Sequence, residues 1–460
     1  MNETVDFRNK KHIHFIGIGG ISMSGLAELL CSRGLKVSGS DRNESPVTKH
    51  LSSLGVDVMY GQAYENITPD IDLVVYTAAV SSDNPEMMAA KDLGITTITR
   101  ATLLGLIMKD YDDAICVAGT HGKTTTTSML SHIYLQAGVD PTIHVGGILK
   151  DIKGNIKIGS KEHFITEACE YTNSFHEFFP TTAIILNVEA EHLDFFKTLA
   201  NYRASFKKFI GLLPDDGLLI INGSIDSYKE LCADTKAKIV TYGVPQVSDY
   251  YADEIGFDRL GHGSYTLYGP AGKIGRVELS VVGEHNISNS VAAAACALTE
   301  GLSFEAVAKG LKCFTNADKR FQYKGERDGV VIIDDYAHHP TEIKATLKAA
   351  LKVEHNKLWV AFQPHTYSRT KAFLNDFIDA LSLADGVVLA DIYAAREDDP
   401  GDISSKDIMN GLVKKGVECT YFDTFEKIEN FLINNCKHGD LLITMGAGNI
   451  AIVGEKLLLR

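Results

Sequence analysis

Short apolar runs alternate with longer segments of helical periodicity along much of this chain of 460 residues. Four of the runs are HIHFIGIG, DLVVYTA, AICVAG and AIILNV. After the first and the third run, helical periodicity begins near Ser22 and Thr124. Parallel strands need a crossover segment between them, usually a helix, so this alternation is typical of α/β proteins. The sequence therefore predicts an α/β fold built on parallel sheets.

The length and two interruptions of this pattern predict three domains. A domain holds roughly 100 to 200 residues, so a chain of this length corresponds to about two to four domains. Charged, less periodic stretches at residues 108–113 and 318–329 interrupt the alternation, and a new apolar run follows each of them. We therefore predict domains at residues 1–108, 109–324 and 325–460.

The charge balance argues against two large classes of partner. The chain carries 45 Lys+Arg against 59 Asp+Glu, a formal net charge of -14, and non-specific binding to nucleic acid or anionic membranes needs a basic face. No apolar run reaches the roughly 18 to 20 residues of a membrane span, and the first 15 residues carry charges where a signal peptide would be apolar. We expect a cytoplasmic protein that binds neither nucleic acid nor membrane. Any phosphate ligand would be bound by a local group of residues and not by a broad basic face.

The first glycine cluster, Gly17, Gly19 and Gly20, stands between a predicted strand and a predicted helix. A glycine backbone there can approach a pyrophosphate at the helix N-terminus. Asp41 follows the next strand-like run, where an acidic residue can bond a ribose hydroxyl. The dinucleotide fingerprint would need a third glycine at the position of Ser22. A nucleotide site and a plain tight turn both remain open, and so does a nicotinamide dehydrogenase.

The second glycine cluster follows the strand-like run AICVA and opens a helix. Its backbone N–H groups can line a phosphate, Lys123 can neutralise β- and γ-phosphate charge, and the Thr124 hydroxyl can ligate Mg²⁺. The loop is shorter than the common phosphate-loop pattern, and the alternative is a solvated lysine at a helix start. The candidate nucleotide-binding residues are Gly119, Thr120, His121, Gly122, Lys123, Thr124 and Thr125.

Acidic residues at the ends of two neighbouring runs are candidates for metal ligands. Glu167 ends the run HFIT, at the position where a nucleotide site usually places its second Mg²⁺ ligand, and Glu170 lies three residues on. His192 follows the run AIIL and could hold a second metal, or be an ordinary loop residue. Its acidic neighbours in sequence are Glu189, Glu191 and Asp194.

Two polar runs in the last third follow apolar strands. Asp335, His338 and His339 come after the run VVII, and His365 and Arg369 come after the run WVAF. Open α/β sheets keep their ligands at the carboxyl ends of the strands. Either run alone could be a polar loop, but the two together favour a shared site.

The motifs GIGGISMSG, GTHGKTTT, EACE, LNVEAEHLD, GEHN, DDYAHHPTE and QPHTYSRT have the order and spacing of one family. On these motifs the chain resembles the Mur ligases, in particular their alanine-adding branch, and the resemblance covers nearly all of the chain. It implies an N-terminal Rossmann-like domain for a UDP-sugar, a central P-loop ATPase-like domain with a parallel sheet, and a C-terminal Rossmann-like domain for the amino acid. The implied reaction uses ATP and Mg²⁺ to join L-alanine to UDP-N-acetylmuramate for peptidoglycan.

The resemblance also implies a role for each motif residue. For the UDP-sugar these are Gly17, Gly19, Gly20, Ser22 and Asp41. For ATP and Mg²⁺ they are the second glycine cluster with Lys123 and Thr124, together with Glu167 and His192 for metal, His285 and Asn286 for adenine, Arg320 for the γ-phosphate and Asp335 for ribose. For L-alanine they are His338, a candidate base, and Arg369, which would take the carboxylate.

Two positions depart from the family pattern. Several relatives have a carbamylated lysine four residues after the tyrosine of a Y-R-A-x-K segment, where this chain has Phe206 after Tyr202. The modification is therefore expected to be absent unless Lys207 substitutes. Thr366 stands where some alanine-adding relatives have a second arginine.

Three rival functions remain at this point. The nearest is a related ligase that attaches a preformed peptide to the same UDP-sugar during wall recycling. The others are the nicotinamide dehydrogenase and a nucleotide-regulated binding module without ligation chemistry. The sequence also leaves open whether the protein is a monomer or a homodimer.

Overall fold

A computed structural model of the chain describes residues 9–77, 79–149, 152, 154–258, 261–315 and 321–459. The contacts divide it into two compact units. The first comprises Met1–Tyr251, Gly269–Gly272 and Val291–Gly310, and the second comprises Ala252–Tyr268, Lys273–Ser290 and Leu311–Arg460. Within the described ranges, none of the helices combines the length and the apolar character that a membrane crossing requires.

The first sheet of the first unit is parallel, with strand order β3-β2-β1-β4-β5. This order reverses between β1 and β4, as in Rossmann-like folds, and ligands bind at such a switch point. Its strands are β1 (His12–Ile16), β2 (Lys36–Asp41), β3 (Asp57–Tyr60), β4 (Leu73–Tyr76) and β5 (Thr96–Thr99). Its helices are α1 (Ile21–Ser32), α2 (Pro46–Ser53), α3 (Pro85–Asp92) and α4 (Arg100–Met108).

The second sheet of this unit has the order β12-β11-β10-β6-β9-β7-β8. Its recorded pairs are parallel except β7 with β8, so β6, β9 and β10 end at the same edge. The strands are β6 (Asp113–Ala118), β7 (Thr142–Leu149), β8 (Gly154–Lys157), β9 (His163–Ala168), β10 (Thr182–Ile185), β11 (Leu218–Asn222) and β12 (Lys238–Tyr242). The helices are α5 (Lys123–Gln136), α6 (Leu193–Phe196), α7 (Leu199–Ile210) and α8 (Tyr228–Leu231).

Close packing joins α1 to the second sheet. A Cβ atom added to Gly25 of α1 would lie 2.7 Å from Nδ2 of Asn155, and that nitrogen donates to the carbonyl of Ile21 at 2.6 Å. One apolar core runs through both parts, from Phe15 and Leu26 to Phe206. The start of α1 is therefore held against β7 and β8.

The rest of the chain adds a three-stranded sheet and a six-stranded sheet of order β16-β17-β21-β18-β19-β20. In the six-stranded sheet only β16 runs antiparallel to its neighbour, and an apolar core covers each face. The strands are β13 (Tyr251–Phe257), β14 (His262–Gly269), β15 (Gly272–Val282), β16 (Gln322–Arg327), β17 (Val330–Asp335), β18 (Leu358–Phe362), β19 (Gly386–Leu389), β20 (Glu418–Tyr421) and β21 (Leu441–Met445). The helices are α9 (Glu284–Thr299), α10 (Phe304–Cys313), α11 (Pro340–Ala350), α12 (Tyr367–Ala372), α13 (Leu374–Leu381), α14 (Ser405–Lys414), α15 (Phe425–Asn435) and α16 (Ala451–Leu459).

The predicted α/β class with parallel sheets is confirmed. The helices expected near Ser22 and Thr124 begin at Ile21 and Lys123. The domain boundaries at residues 108 and 324 stay a prediction.

Candidate active site

The first glycine cluster forms a tight turn after β1. Gly17 has a φ of 81°, a conformation that favours glycine. The backbone N–H groups of Gly17 and Ile18 both donate to the carbonyl of Ser40, at 2.8 and 2.9 Å. The N–H of Gly19 donates to Oδ2 of Asp41 at 2.9 Å. The structure therefore brings Asp41 to the glycine turn, and α1 starts directly after Gly20; the ribose contact stays a prediction.

Asn187, just after β10, hydrogen-bonds the second glycine cluster, and it is not among the residues predicted above. The N–H of His121 donates to Oδ1 of Asn187 at 2.8 Å, and Nδ2 of Asn187 donates to the His121 carbonyl at 3.1 Å. The Thr120 N–H donates to the carbonyl of Asn187 at 3.2 Å. Gly122 then caps α5 in the left-handed region, with a φ of 84°. The sequence feature that marks Asn187 is its place in the motif LNVEAEHLD.

Lys123, at the first position of α5, is held by a buried carboxylate. Its Nζ donates to Oε2 of Glu170 at 3.0 Å and to the carbonyl of Thr120 at 3.0 Å. The Glu170 side chain is 1% exposed. Burial alone would raise the pKa of Glu170, but Lys123 and His192 outweigh it and hold that pKa at about 2. Burial opposes the charge on Lys123 as well, yet Glu170 raises the pKa of Lys123 above its usual value.

The Glu170 carboxylate contacts two further side chains, Tyr202 and His192. Besides Lys123, Oε1 accepts a hydrogen bond from the Tyr202 hydroxyl at 3.1 Å and lies 3.5 Å from Nε2 of His192. The His192 backbone has a φ of 52°, and its ring centroid lies 4.5 Å from that of Tyr171. In the sequence, only its place as the second glutamate of the motif EACE marks Glu170 as a candidate partner of Lys123.

Thr124 and Glu167 supply the oxygen atoms of a candidate Mg²⁺ site. The Thr124 hydroxyl donates to Oε2 of Glu167 at 3.0 Å, and the Gly146 N–H donates to Oε1 of the same carboxylate at 2.8 Å. A hydroxyl and a carboxylate next to a phosphate-binding loop are ligands that suit Mg²⁺. The residues present therefore fit this ion. The side chain of Asp194 lies outside the described residues.

The segment that departs from the family pattern points away from a modified lysine. Phe206 is fully buried and packs edge-on against Phe175 at a centroid distance of 5.3 Å. Nζ of Lys207 lies 3.0 Å from Oδ2 of Asp234. Position 206 therefore holds a buried apolar ring and Lys207 lies in an ion pair; the absence of a carbamylated lysine stays a prediction.

A chain of side-chain contacts runs from Ser22, after the first glycine turn, to Thr166, the residue before Glu167. Ser22 Oγ accepts a hydrogen bond from Nη1 of Arg100 at 3.0 Å and lies 3.1 Å from Nε2 of His144. Nδ1 of His144 lies 3.1 Å from the Thr166 hydroxyl, one residue before Glu167. Burial first, and then Arg100, lower the pKa of His144 to about 4, so this ring is neutral at neutral pH.

The neutral His144 predicts a pH dependence of stability. Its folded-state pKa of about 4 is below the usual 6.5, so the unfolded state takes up a proton that the folded state does not as pH falls below 6.5. We expect His144 to account for about 2 kcal/mol of the loss in unfolding free energy between pH 7.5 and pH 5. Denaturant unfolding of wild type and His144→Asn at both pH values measures this difference.

His163 is a matched control of opposite sign for that measurement. The hydrogen bond that the His163 ring donates to Asp113 raises the pKa of His163, so the stability that His163 contributes is present below the unfolded-state pKa and is lost as pH rises through the folded-state pKa. The substitution His163→Asn should therefore lower the free energy of unfolding, relative to wild type, more at pH 5 than at pH 7.5. If His144→Asn loses as much unfolding free energy between pH 7.5 and pH 5 as wild type does, the buried, neutral ring of His144 is not the cause of that loss.

The second unit brings together the two polar runs that follow β17 and β18. The ring centroids of His338 and His365 are 5.7 Å apart, and Nη1 of Arg369 lies 3.1 Å from Nδ1 of His365. His338 also lies 3.4 Å from Oε2 of Glu342. Burial first, and then His338 and Arg369, lower the pKa of His365 to about 4. This cluster offers a guanidinium beside a neutral imidazole.

Asp335 is tied into the backbone at the end of β17. Its Oδ2 accepts from the Phe321 N–H at 2.7 Å, and its Oδ1 accepts from the Ala337 N–H at 2.8 Å and the Thr346 hydroxyl at 3.2 Å. His339 caps α11. The structure therefore gives Asp335 a role in holding the loop, in addition to the ribose contact that the family pattern implies.

The remaining candidates differ in what the structure says of them. Asn286 is buried, and its Nδ2 donates to the carbonyl of Val282 at 2.8 Å, whereas His285 beside it is exposed. Arg320 lies outside the described residues.

Three family models match consecutive parts of the chain. They are the Mur ligase family catalytic domain at residues 12–112, the Mur ligase middle domain at residues 117–297 and the Mur ligase glutamate ligase domain at residues 319–448. Together they span most of the sequence, in the order that the motifs predict.

Relatives and solved structures agree with these matches. The chain is 58% identical over 454 residues to a UDP-N-acetylmuramate–L-alanine ligase of Agathobacter rectalis, with 99% of both chains covered. It superimposes on the UDP-N-acetylmuramate–alanine ligase of Thermotoga maritima with a TM-score of 0.81 at 28% identity, and on a murein peptide ligase of Psychrobacter arcticus with a TM-score of 0.70 at 25% identity, each over 98% of both chains. The family resemblance is confirmed, and this chain belongs to the Mur ligase family.

Proposed function

We propose that this chain is an ATP-dependent ligase that joins L-alanine to the carboxylate of UDP-N-acetylmuramate, with ADP and phosphate as the other products. The observation that carries the proposal is the phosphate-type loop before α5, where Lys123 and Thr124 each contact a carboxylate from the end of β9 or just after it. The many relatives named for this reaction agree with it.

The chemistry explains why such a loop is needed. A carboxylate is a poor electrophile, so the substrate carboxylate must first attack the γ-phosphorus of ATP to form an acyl phosphate. In this proposal Lys123 turns from Glu170 towards the phosphates and offsets the negative charge that develops there. Thr124, Glu167 and His192 would hold Mg²⁺, which supplies further positive charge to the phosphate oxygens when bound.

The other steps fall to the remaining candidate residues. The turn at Gly17, Gly19 and Gly20, with Ser22 and Asp41, would bind the UDP-sugar. Arg369 would bind the carboxylate of L-alanine, and its planar fork suits that group. The amine of L-alanine then attacks the acyl phosphate and phosphate leaves; His338 is our candidate for the group that takes up the amine proton.

Contacts with the phosphates, the adenine and the ribose of ATP complete the assignment. We propose that the backbone of residues 119–125 surrounds the phosphates, that His285 and Asn286 flank adenine, that Asp335 bonds the ribose and that Arg320 reaches the γ-phosphate. The place of action would be the cytoplasm, in the synthesis of peptidoglycan precursors. The protein would act as a monomer or a homodimer.

One assay tests the activity and separates it from its rivals. Phosphate release should require ATP, Mg²⁺, UDP-N-acetylmuramate and L-alanine together. Release with a tripeptide in place of L-alanine would indicate the recycling ligase instead, and nucleotide binding without release would indicate a binding module. No ADP with all four components would contradict the proposal.

His192→Ala is expected to raise the Mg²⁺ concentration for half-maximal rate by about 10-fold, the scale of effect seen when a group that supports a metal is lost. The reason is the position of Nε2 of His192, 3.5 Å from Oε1 of Glu170, the carboxylate that accepts a hydrogen bond from Lys123 at the end of the phosphate loop. A Mg²⁺ titration of the coupled assay measures this shift. An unchanged titration would remove His192 from the metal site.

A further inference from the structure

Arg100 is a partly buried cation without a carboxylate partner among the described residues. Its recorded hydrogen bond goes from Nη1 to Oγ of Ser22, at 3.0 Å. Burial lowers the pKa of Arg100, which expresses the cost of desolvating a charge that no carboxylate in the described ranges neutralises. The adjacent His144 ring is neutral and adds no negative charge.

The position of Arg100 in its helix makes its charge less favourable still. Arg100 is the first residue of α4, after the N-cap Thr99. The N-terminal end of a helix carries partial positive charge and favours acidic groups, but the first turn of α4 contains none. A cation that lies at a positive helix end, with no carboxylate partner in the part of the chain that the structure describes, is an arrangement that a bound anion would stabilise.

A second positive helix end lies beside it. Ser22 is in the first turn of α1, which follows the glycine turn, has Gly20 as its N-cap and has no side-chain cap hydrogen bond and no acidic residue in that turn. The first N–H groups of α1 therefore have no partner within their own helix or cap. Ser22 is held from one side by Arg100 and from the other by His144.

We propose that Arg100 binds the diphosphate of the UDP-sugar substrate at the start of α1, alongside Ser22 and the glycine turn. This inference rests on the proposed function and adds a substrate-binding residue that no motif indicated. The diphosphate is favoured over the sugar-linked carboxylate because the glycine turn and the uncapped helix start form the part of a Rossmann-like domain that receives phosphate. The guanidinium fork would donate to the phosphate oxygens.

Calorimetric titration with UDP tests the inference, since UDP carries the diphosphate and no carboxylate. We expect Arg100→Gln to bind UDP about 10- to 100-fold more weakly than wild type, the range for loss of a hydrogen bond to a charged group. Uridine binding, followed by ligand-observed NMR, should not change. Arg33 at the other end of α1 pairs with Asp110 at 2.8 Å, so Arg33→Gln is the matched control and should keep wild-type affinity for UDP.

A stability measurement separates binding from a structural role. Because no carboxylate of the described residues pairs with Arg100 in the free protein, Arg100→Gln should melt at the wild-type temperature or higher without ligand. The rise in melting temperature that UDP causes in wild type should be much smaller in the variant. A large drop in the melting temperature of the free variant would assign Arg100 to the fold instead.

The outcomes distinguish this inference from the function on which it rests. Equal UDP affinity in wild type and Arg100→Gln would overturn the diphosphate contact. It would also be overturned if UDP bound equally while UDP-N-acetylmuramate bound more weakly, because Arg100 would then serve the carboxylate. Failure of wild type itself to bind UDP would contradict the proposed function.

Discussion

Replacing Lys123 by alanine is expected to lower kcat at least about 100-fold, because the variant loses a positive group placed where phosphate charge develops in the transition state. Lys123 is the first residue of α5, directly after the glycine loop, and its Nζ already hydrogen-bonds the Thr120 carbonyl of that loop. The rate of ADP formation at saturating substrates measures the effect. KM for L-alanine should change little, since that substrate is assigned to the second unit.

The same change also disturbs the free protein, and a double variant separates the two effects. Lys123→Ala leaves the buried Glu170 carboxylate without its cation, and breaking a buried pair in this way costs about 3 to 5 kcal/mol of stability. In Lys123→Ala/Glu170→Gln no uncompensated charge remains. We expect the double variant to regain most of the melting temperature but none of the activity.

Lys157 provides the matched control for the lysine. Lys157 ends the strand β8 and pairs with Asp140. It is far from the glycine loop in sequence, and β8 is at the edge of the sheet. Lys157→Ala should keep wild-type turnover. Near-normal kcat in Lys123→Ala would contradict the assignment of the phosphate site, whatever the relatives indicate.

The parts of the site that the sequence predicts are those in which the signal is local. A strand, a glycine cluster and a helix follow one another without a break at Gly17 and again at Gly119, so the position of each turn depends on neighbours in the chain. The meeting of His338 and His365 is predictable for a related reason. Both follow strands that pair with β21 in parallel, so their loops leave the same edge of the sheet.

The parts that the sequence does not predict depend on contacts between distant segments. Glu170 becomes the partner of Lys123 because β9 lies beside β6, which brings together residues 47 positions apart. Arg100 and His144 belong to no glycine or acidic motif. His144 reaches Ser22 because α1 packs on β7, and Arg100 reaches it from the start of α4. A single arginine or histidine in sequence carries no sign of such a contact.

Glu167→Gln is expected to lower kcat about 100-fold at ordinary Mg²⁺ concentrations and to raise the Mg²⁺ requirement at least about 10-fold. Glutamine has nearly the shape of glutamate, and its amide oxygen can still accept from the Gly146 N–H, which donates to Glu167 at 2.8 Å. The fold should therefore be kept. What the variant loses is the negative charge that attracts the ion. A Mg²⁺ titration of ADP formation measures both changes.

Glu162→Gln is the matched control for Glu167→Gln, because Glu162 lies at the opposite end of β9. It is exposed and precedes β9, whereas Glu167 lies near the end of that strand, so Glu162→Gln should behave as wild type. High Mg²⁺ should restore part of the rate of Glu167→Gln by mass action, because Thr124 remains as a ligand. It should not restore Lys123→Ala, whose missing charge belongs to the protein. If Mg²⁺ rescues both variants or neither, the division between a metal-binding glutamate and a phosphate-binding lysine is wrong.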